Sequence, residues 1–184
     1  MAPMANEVWI SVDVEASGPS PGTGSLLTIG ACLVDDPDVA IYLELQPIVE
    51  LPWSDAAQLV HGLDRRQLER GGLPPARAME RLDEWLASVA DGGQPVFVGF
   101  NAPFDWMFVA DYFHRFLGRN PFGISALDMK AYFMGREGVT EWAATTHAHV
   151  NERFGATQPH THNALDDARE QAALLRLMRA ENEK

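Results

Sequence analysis

Val8-Trp9-Ile10-Ser11-Val12-Asp13-Val14-Glu15 sets Val8, Ile10, Val12 and Val14 on one side of the chain and Trp9, Ser11, Asp13 and Glu15 on the other. That period of two predicts a β-strand. The stretch that follows, Gly18-Pro19-Ser20-Pro21-Gly22-Thr23-Gly24-Ser25, breaks regular structure. No Lys-Ser/Thr follows its glycines and the next element reads as a strand, so the loop is expected to close a hairpin rather than cradle a phosphate. Residues 26–34 and 39–45 read as two further strands around Asp35-Asp36-Pro37-Asp38, which makes an antiparallel meander of three.

Downstream the period changes. Helical segments are expected over 53–59, 64–70 and 74–89, then a buried strand over 95–100, a helix running to about 117, and a short strand over 124–127. One or two helices and a last helix over about 163–182 complete the chain. Strands first, then strands alternating with helices, imply an α/β domain: a mixed five-stranded sheet, antiparallel meander plus parallel strands, flanked by helices. With 184 residues, 46% hydrophobic side chains, no internal repeat and no linker, a single domain over 1–184 is expected.

The start of the chain has no basic segment followed by an apolar one, and no stretch approaches the roughly 18 apolar residues of a membrane span, so a soluble, cytoplasmic protein without a membrane partner is expected. Cys32 is the only cysteine and lies in the apolar run 29–34, which excludes an internal disulfide and a thiolate zinc site and points to a core residue. The formal net charge of −12 argues against long, nonspecific duplex binding. Two divalent ions held by acidic residues would bring the balance to −12 + 4 = −8, and Arg65, Arg66, Arg70, Arg77 and Arg81 concentrate positive charge within a short span, either as a basic patch or as a solvated helix face.

Three acidic clusters stand where apolar elements begin or end. Asp13 and Glu15 leave the same face of the first strand, about 6.6 Å apart along it at ~3.3 Å per residue, a spacing that holds one cation or bridges two. In Asn101-Ala102-Pro103-Phe104-Asp105, Asn101 is the expected N-cap and Pro103 is tolerated in the first helical turn. Counting from Asp105, Phe108, Val109, Tyr112, Phe113 and Phe116 form one apolar stripe, so Asp105 faces inward, while Asp111 and Arg115 pair on the outside. In His162-Asn163-Ala164-Leu165-Asp166-Asp167, Asp167 aligns with Leu174 and Met178 on the inward stripe, and Asp166 is turned away toward the Glu170 side. An inward carboxylate gains only ~0.3–1 kcal/mol from a helix dipole, whereas burying it unpaired costs several, so each acid needs a positive partner. Hard oxygen donors favour two Mg2+ or Mn2+ ions, which together clamp a phosphodiester, and His162 is placed to accept a proton from the attacking water. A zinc site from His147, His149 and His160 is the competing idea, but His147 and His149 are two apart and a helix sends them to different faces.

These clusters, in this order, resemble the DEDD superfamily of 3'-to-5' exonucleases, in the branch whose third motif is His-x-Ala-x-x-Asp. The first motif, Asp-x-Glu-x-Thr-Gly, is met by Asp13-Val14-Glu15-Ala16-Ser17-Gly18, with serine for threonine. The second, Asn-x-x-Phe-Asp, is met by Asn101 to Asp105, the third by His162 to Asp167, and His61-Gly62-Leu63 is similar to the His-Gly-Ile/Leu segment between them. The resemblance covers about residues 7–178 and includes ribonuclease T, oligoribonuclease and the proofreading exonucleases of DNA polymerases. It implies a ribonuclease H-like fold and two Mg2+ or Mn2+ ions. Asp13 would bridge both ions, Glu15 and Asp167 would complete the one on the nucleophile side, Asp105 would support the second, and His162 would be the general base. Ala16, Ser17, His61, Asn101 and Phe104 would meet the 3'-terminal nucleotide. The implied activity releases nucleoside 5'-monophosphates from 3' ends of single-stranded DNA or RNA, or from short oligonucleotides; a homodimer is common in the relatives. A phosphodiesterase on dinucleotides and a binding module that has lost catalysis are the alternatives.

Overall fold

A computed structural model of the chain describes residues 6–156 and 161–180. Strands β1 (Glu7–Ala16), β2 (Leu26–Leu33) and β3 (Ala40–Glu44) form the expected antiparallel meander. Three helices follow, α1 (Asp55–His61), α2 (Arg65–Gly71) and α3 (Pro75–Ala90). Then come β4 (Gln94–Gly99), α4 (Pro103–Leu117), β5 (Ala126–Asp128) and α5 (Met129–Glu137). A 3-10 turn at Trp142–Thr145, α6 (His147–Phe154) and α7 (Ala164–Ala180) end the described chain. The sheet order is β3-β2-β1-β4-β5, with β4 parallel to β1 and β5 parallel to β4. Among the described residues no helix is long and apolar enough to cross a membrane.

The position of β1 governs the rest. Hydrogen-bonded on both edges, it is covered on both faces, so its polar side is as buried as its apolar one: Ile10 and Ser11 are both fully enclosed. Ile10, Val12 and Val14 pack with Met79 and Leu82 of α3 and with Phe108, Val109 and Tyr112 of α4. On the other face Cys32, as expected a core residue, and Val98 pack with Met129 and Phe133 of α5, Val150 of α6 and Ala168, Leu175 and Met178 of α7. Of the expected inward stripe of α4, Phe108, Val109, Tyr112 and Phe113 are buried and Phe116 is half-buried, and Arg115 pairs with Asp111 at 2.8 Å on the outside.

The expected hairpin loop is a hairpin loop. Ser17 N–H donates to Ser25 O at 2.8 Å, and a register shift between Glu15 and Ala16 bends the end of β1. One helix start differs from expectation. Asn101 does not cap α4: its φ of 64° is left-handed, whereas a cap requires extended backbone, and Ala102, already helical, occupies the cap position without a side-chain bond. The chain has to reverse between β4 and α4 within three residues, and asparagine is among the few side chains that accept the left-handed turn this requires. At α7 the cap is Asn163, whose Oδ1 accepts from Leu165 N–H at 3.1 Å and Asp166 N–H at 3.2 Å.

One glycine lets the two halves of the fold meet. Gly30 of β2 pairs with Asp13 of β1, and a methyl group on it would overlap the backbone of Ala164 and Leu165 where α7 begins. The missing side chain brings the first turn of α7 directly over the carboxylate end of β1. Gly30→Ala is expected to cost about 1–3 kcal/mol by overpacking, a fall of roughly 3–10 °C in Tm for a chain of this size. Gly135→Ala in α5, where an added methyl meets open space, should hold or raise Tm. Equal melting of the two variants in calorimetry would contradict the account of Gly30.

Candidate active site

Four carboxylates and a histidine from three separate elements converge at the bent end of β1. Asp13 and Glu15 come from β1, Asp105 from the first turn of α4, Asp167 from the first turn of α7, and His162 from the segment just before α7. Asp13, Asp105 and Asp167 are buried, Glu15 is half-buried, and His162 is exposed at the mouth with a left-handed φ of 58°. Glu15, His162 and Asp167 place ligand atoms within 4.8 Å of one another. The helical phase thus separated the neighbours correctly: Asp167 is buried and Asp166 is exposed.

Each buried acid has one oxygen held by a protein donor. Val14 N–H donates to Asp105 Oδ1 at 3.0 Å, Thr161 N–H donates to Asp167 Oδ1 at 2.8 Å, and Gln171 Nε2 donates to Asp13 Oδ1 at 2.7 Å. These bonds fix the carboxylates but do not balance their charge. Burial, and then the neighbouring Asp105, Glu15 and Asp167, raise Asp13 well above the usual carboxylate range, against the lowering bond from Gln171. Burial pushes Asp105 up to about 8, with the Val14 N–H pulling the other way, and burial with the nearby Asp167 pushes Glu15 up to about 7. A set of hard oxygen donors whose ionised form is disfavoured by burial, and then by mutual repulsion, fits a divalent cation, which would supply the missing positive charge.

Asp13, Glu15 and Asp105 line a cavity of about 940 Å3. Ala57, Val60 and Phe104 give it apolar wall, and Ala16, Asn101 and His61 also line it. His61, the last residue of α1, is buried; Leu63 N–H donates to its Nδ1 at 3.0 Å, so the proton sits on Nε2, which has no partner among the described residues. Burial and the nearby His162 lower its pKa, which keeps it a neutral donor. Ser17 is engaged by the hairpin. Its hydroxyl donates to Pro52 O at 3.2 Å and accepts from Ser25 N–H at 2.8 Å, its carbonyl accepts from Ser54 N–H at 2.9 Å, and it does not line the cavity. The hairpin uses its polar groups, and Ala16 is the residue of that pair that faces the cavity. The zinc idea finds no support: His147 Nε2 meets Glu170 Oε2 at 2.9 Å, His149 Nδ1 meets Thr146 Oγ1 at 2.7 Å, and His160 lies outside the described residues.

The sequence model of the RNase T exonucleases matches residues 10–175, a span that contains every residue of this cluster. The chain belongs to this exonuclease family. It is 44% identical over 179 residues to the 3'-5' DNA exonuclease Cap18 of Escherichia coli, covering 97% of this chain and 95% of that protein. Among solved structures, the nuclease domain of 3'hExo, a DEDDh family member bound to rAMP, aligns with a TM-score of 0.76 at 13% identity over 95% of this chain and 92% of that one. E. coli Exonuclease I in complex with a dT13 oligonucleotide aligns at 0.72 and 18% identity over 97% and 42%. These two likenesses carry the fold: the mixed five-stranded sheet with flanking helices is the ribonuclease H-like fold of DEDDh exonucleases.

As an exonuclease of this family the protein is a hydrolase of phosphodiesters, and its charge layout is unusual for one that handles polyanions. No Lys or Arg lines the cavity among the described residues. Arg65 pairs with Glu69 at 2.8 Å and Arg77 with Glu80 at 2.6 Å, Arg66 and Arg70 are exposed, and Arg81 lines a separate groove with Tyr42 and Trp85. The arginine-rich span therefore reads as a solvated helix face. Two buried polar residues of α7 at or beside the cavity escaped sequence reasoning. Glu170 was assigned to the outward flank of α7 but is buried, because α6 covers that flank with His147 and Asn151. Gln171 lies on the cavity floor, and nothing in helical phase distinguishes it from a core polar residue.

Metal-free protein should lose stability as pH rises from about 4.5 to 8. The folded state keeps protons on Glu15 and Asp105 that the unfolded chain has already released, so folding is favoured on the acid side and the penalty is complete above the raised values. Mn2+ at ~100 times its Kd adds about 2.7 kcal/mol, or roughly 5–10 °C in Tm. That gain should appear at pH 8 and fall by more than half at pH 5.5, where protons compete. A pH-independent shift in differential scanning fluorimetry would contradict a carboxylate cation site.

Proposed function

We propose that the chain removes nucleotides from the 3' end of single-stranded DNA, releasing nucleoside 5'-monophosphates, with Asp13, Glu15, Asp105 and Asp167 holding two Mg2+ or Mn2+ ions. The observation that carries this reading is a cavity lined by Asp13, Glu15, Asp105 and the exposed His162, with Asp167 placing a ligand atom within 4.8 Å of Glu15 and His162. The choice of DNA rests on the likeness to the E. coli DNA exonuclease across nearly the full length of both chains. When bound, the ions neutralise the carboxylates and polarise the scissile phosphodiester.

The protein's own residues then divide the remaining work. His162 stands at the solvent side of Glu15 and Asp167 and takes the proton from the attacking water. The neutral His61 offers its Nε2–H to an oxygen of the terminal nucleotide. Phe104, Ala57 and Val60 supply apolar surface for a base, and Ala16 and Asn101 line the path of the sugar. Such a site holds an end rather than a backbone. Without lysine or arginine along the cavity, affinity for additional phosphates is low, which favours short or single strands over duplex.

His162→Ala should lower kcat at least ~100-fold on a labelled oligonucleotide while leaving the fold intact by circular dichroism. Undiminished cleavage would contradict the general-base role. The salt response tests the other half of the reading. With one phosphate contact the slope of log K against log[salt] is about −0.7 for a single strand, so KM should change by no more than about fivefold between 50 and 200 mM KCl. The acidic body also favours a second reading, a phosphodiesterase on dinucleotides. A kcat/KM at least ~10-fold higher on 2-mers than on 20-mers would select it.

A further inference from the structure

Gln171 sits on α7 one helical turn after Asp167, is only 2% exposed, and lines the floor of the acidic cavity. Both ends of its amide are used. Phe100 N–H donates to Oε1 at 3.0 Å, and Nε2 donates to Asp13 Oδ1 at 2.7 Å. The orientation of the amide is not arbitrary. A backbone N–H can only donate, so the oxygen has to face Phe100, which leaves the NH2 group as the one that meets Asp13. Gln171 thereby joins three pieces of the site: the carboxylate end of β1, the turn carrying Phe100 and Asn101, and the helix carrying Asp167.

The charges around Asp13 make the donor consequential. Asp13 is buried among Asp105, Glu15 and Asp167, and in that company Gln171 is the side chain that bonds it as a donor. The bond holds Oδ1 in one direction and leaves Oδ2 to turn toward a cation. Asp105 and Asp167 are each anchored on one oxygen by a backbone N–H, of Val14 and Thr161, whereas the donor to Asp13 is a side chain, that of Gln171. We propose that Gln171 is a positioning residue of the reaction, acting through Asp13 by fixing one carboxylate oxygen so that the other is presented to a divalent cation. The inference rests on the metal-dependent reading above. Groups that orient a metal-ligating side chain in this way commonly change metal affinity or activity 10–100-fold when removed.

Two variants separate positioning from packing. Gln171→Met has a similar volume and loses both bonds; Gln171→Glu keeps an acceptor for Phe100 N–H and replaces the donor to Asp13 with a carboxylate. Gln171→Met should bind Mn2+ about 10-fold more weakly in a calorimetric titration without nucleic acid. Both variants should lose kcat 10–100-fold, with KM for a single-stranded oligonucleotide held within about threefold. If Gln171 only props the Phe100 turn, Gln171→Glu will keep wild-type kcat while Gln171→Met alone loses it, and the proposal fails. It also fails if Gln171→Met binds Mn2+ like the wild type. A wild-type protein that binds Mn2+ yet shortens no oligonucleotide would instead overturn the proposed function, leaving the Mn2+ titration of Gln171→Met as the separate test of Gln171.

Discussion

The burial of neighbouring carboxylates, with the repulsion that follows from their closeness, is the constraint around which this protein is built. Asp13, Asp105 and Asp167 are enclosed, and Glu15 adds a fourth charge beside them. Taking an ion out of water costs several kcal/mol, and like charges nearby add to it. Placing Asp105 and Asp167 in the first turns of α4 and α7 recovers only ~0.3–1 kcal/mol each from the helix dipoles. The apolar packing on both faces of the sheet has to hold the acids together, and one anchored oxygen on each keeps them from turning away.

The topology delivers the acids to one point. A central β1 places Asp13 and Glu15 where the sheet ends, the short reversal after β4 starts α4 beside them, and Gly30 lets α7 come down on top. Asn101 and His162, both left-handed, stand at the two turns where the chain enters those helices. Backbone held in that region costs of order 1–3 kcal/mol and tends to persist at functional sites. Here it frees their side chains from capping duty and leaves them at the cavity or its mouth.

Much of this was legible in the sequence because the deciding signals were local. Two-residue alternation located β1, and the spacing of Asp13 and Glu15 on it fixed their common face. Helical phase alone buried Asp105, turned Asp111 outward to pair with Arg115 and chose Asp167 over Asp166. What was not legible depended on which element covers which. Glu170 looked outward until α6 was laid across it, and Gln171 had no distinguishing mark until β1 and the Phe100 turn met its two ends. The hydrogen bonds of the Ser17 hydroxyl to Pro52 and Ser25 depend on how the hairpin closes, which its motif does not encode. Asn101 has a good cap composition, and only the geometry of the reversal denied it that role.

The account stands on a cation completing the carboxylate cluster, and anomalous diffraction tests that directly. Crystals grown with Mn2+ and a nucleoside 5'-monophosphate should show two anomalous peaks among Asp13, Glu15, Asp105 and Asp167, with the nucleotide in the same cavity. A bound nucleotide with no anomalous density at those carboxylates would contradict it.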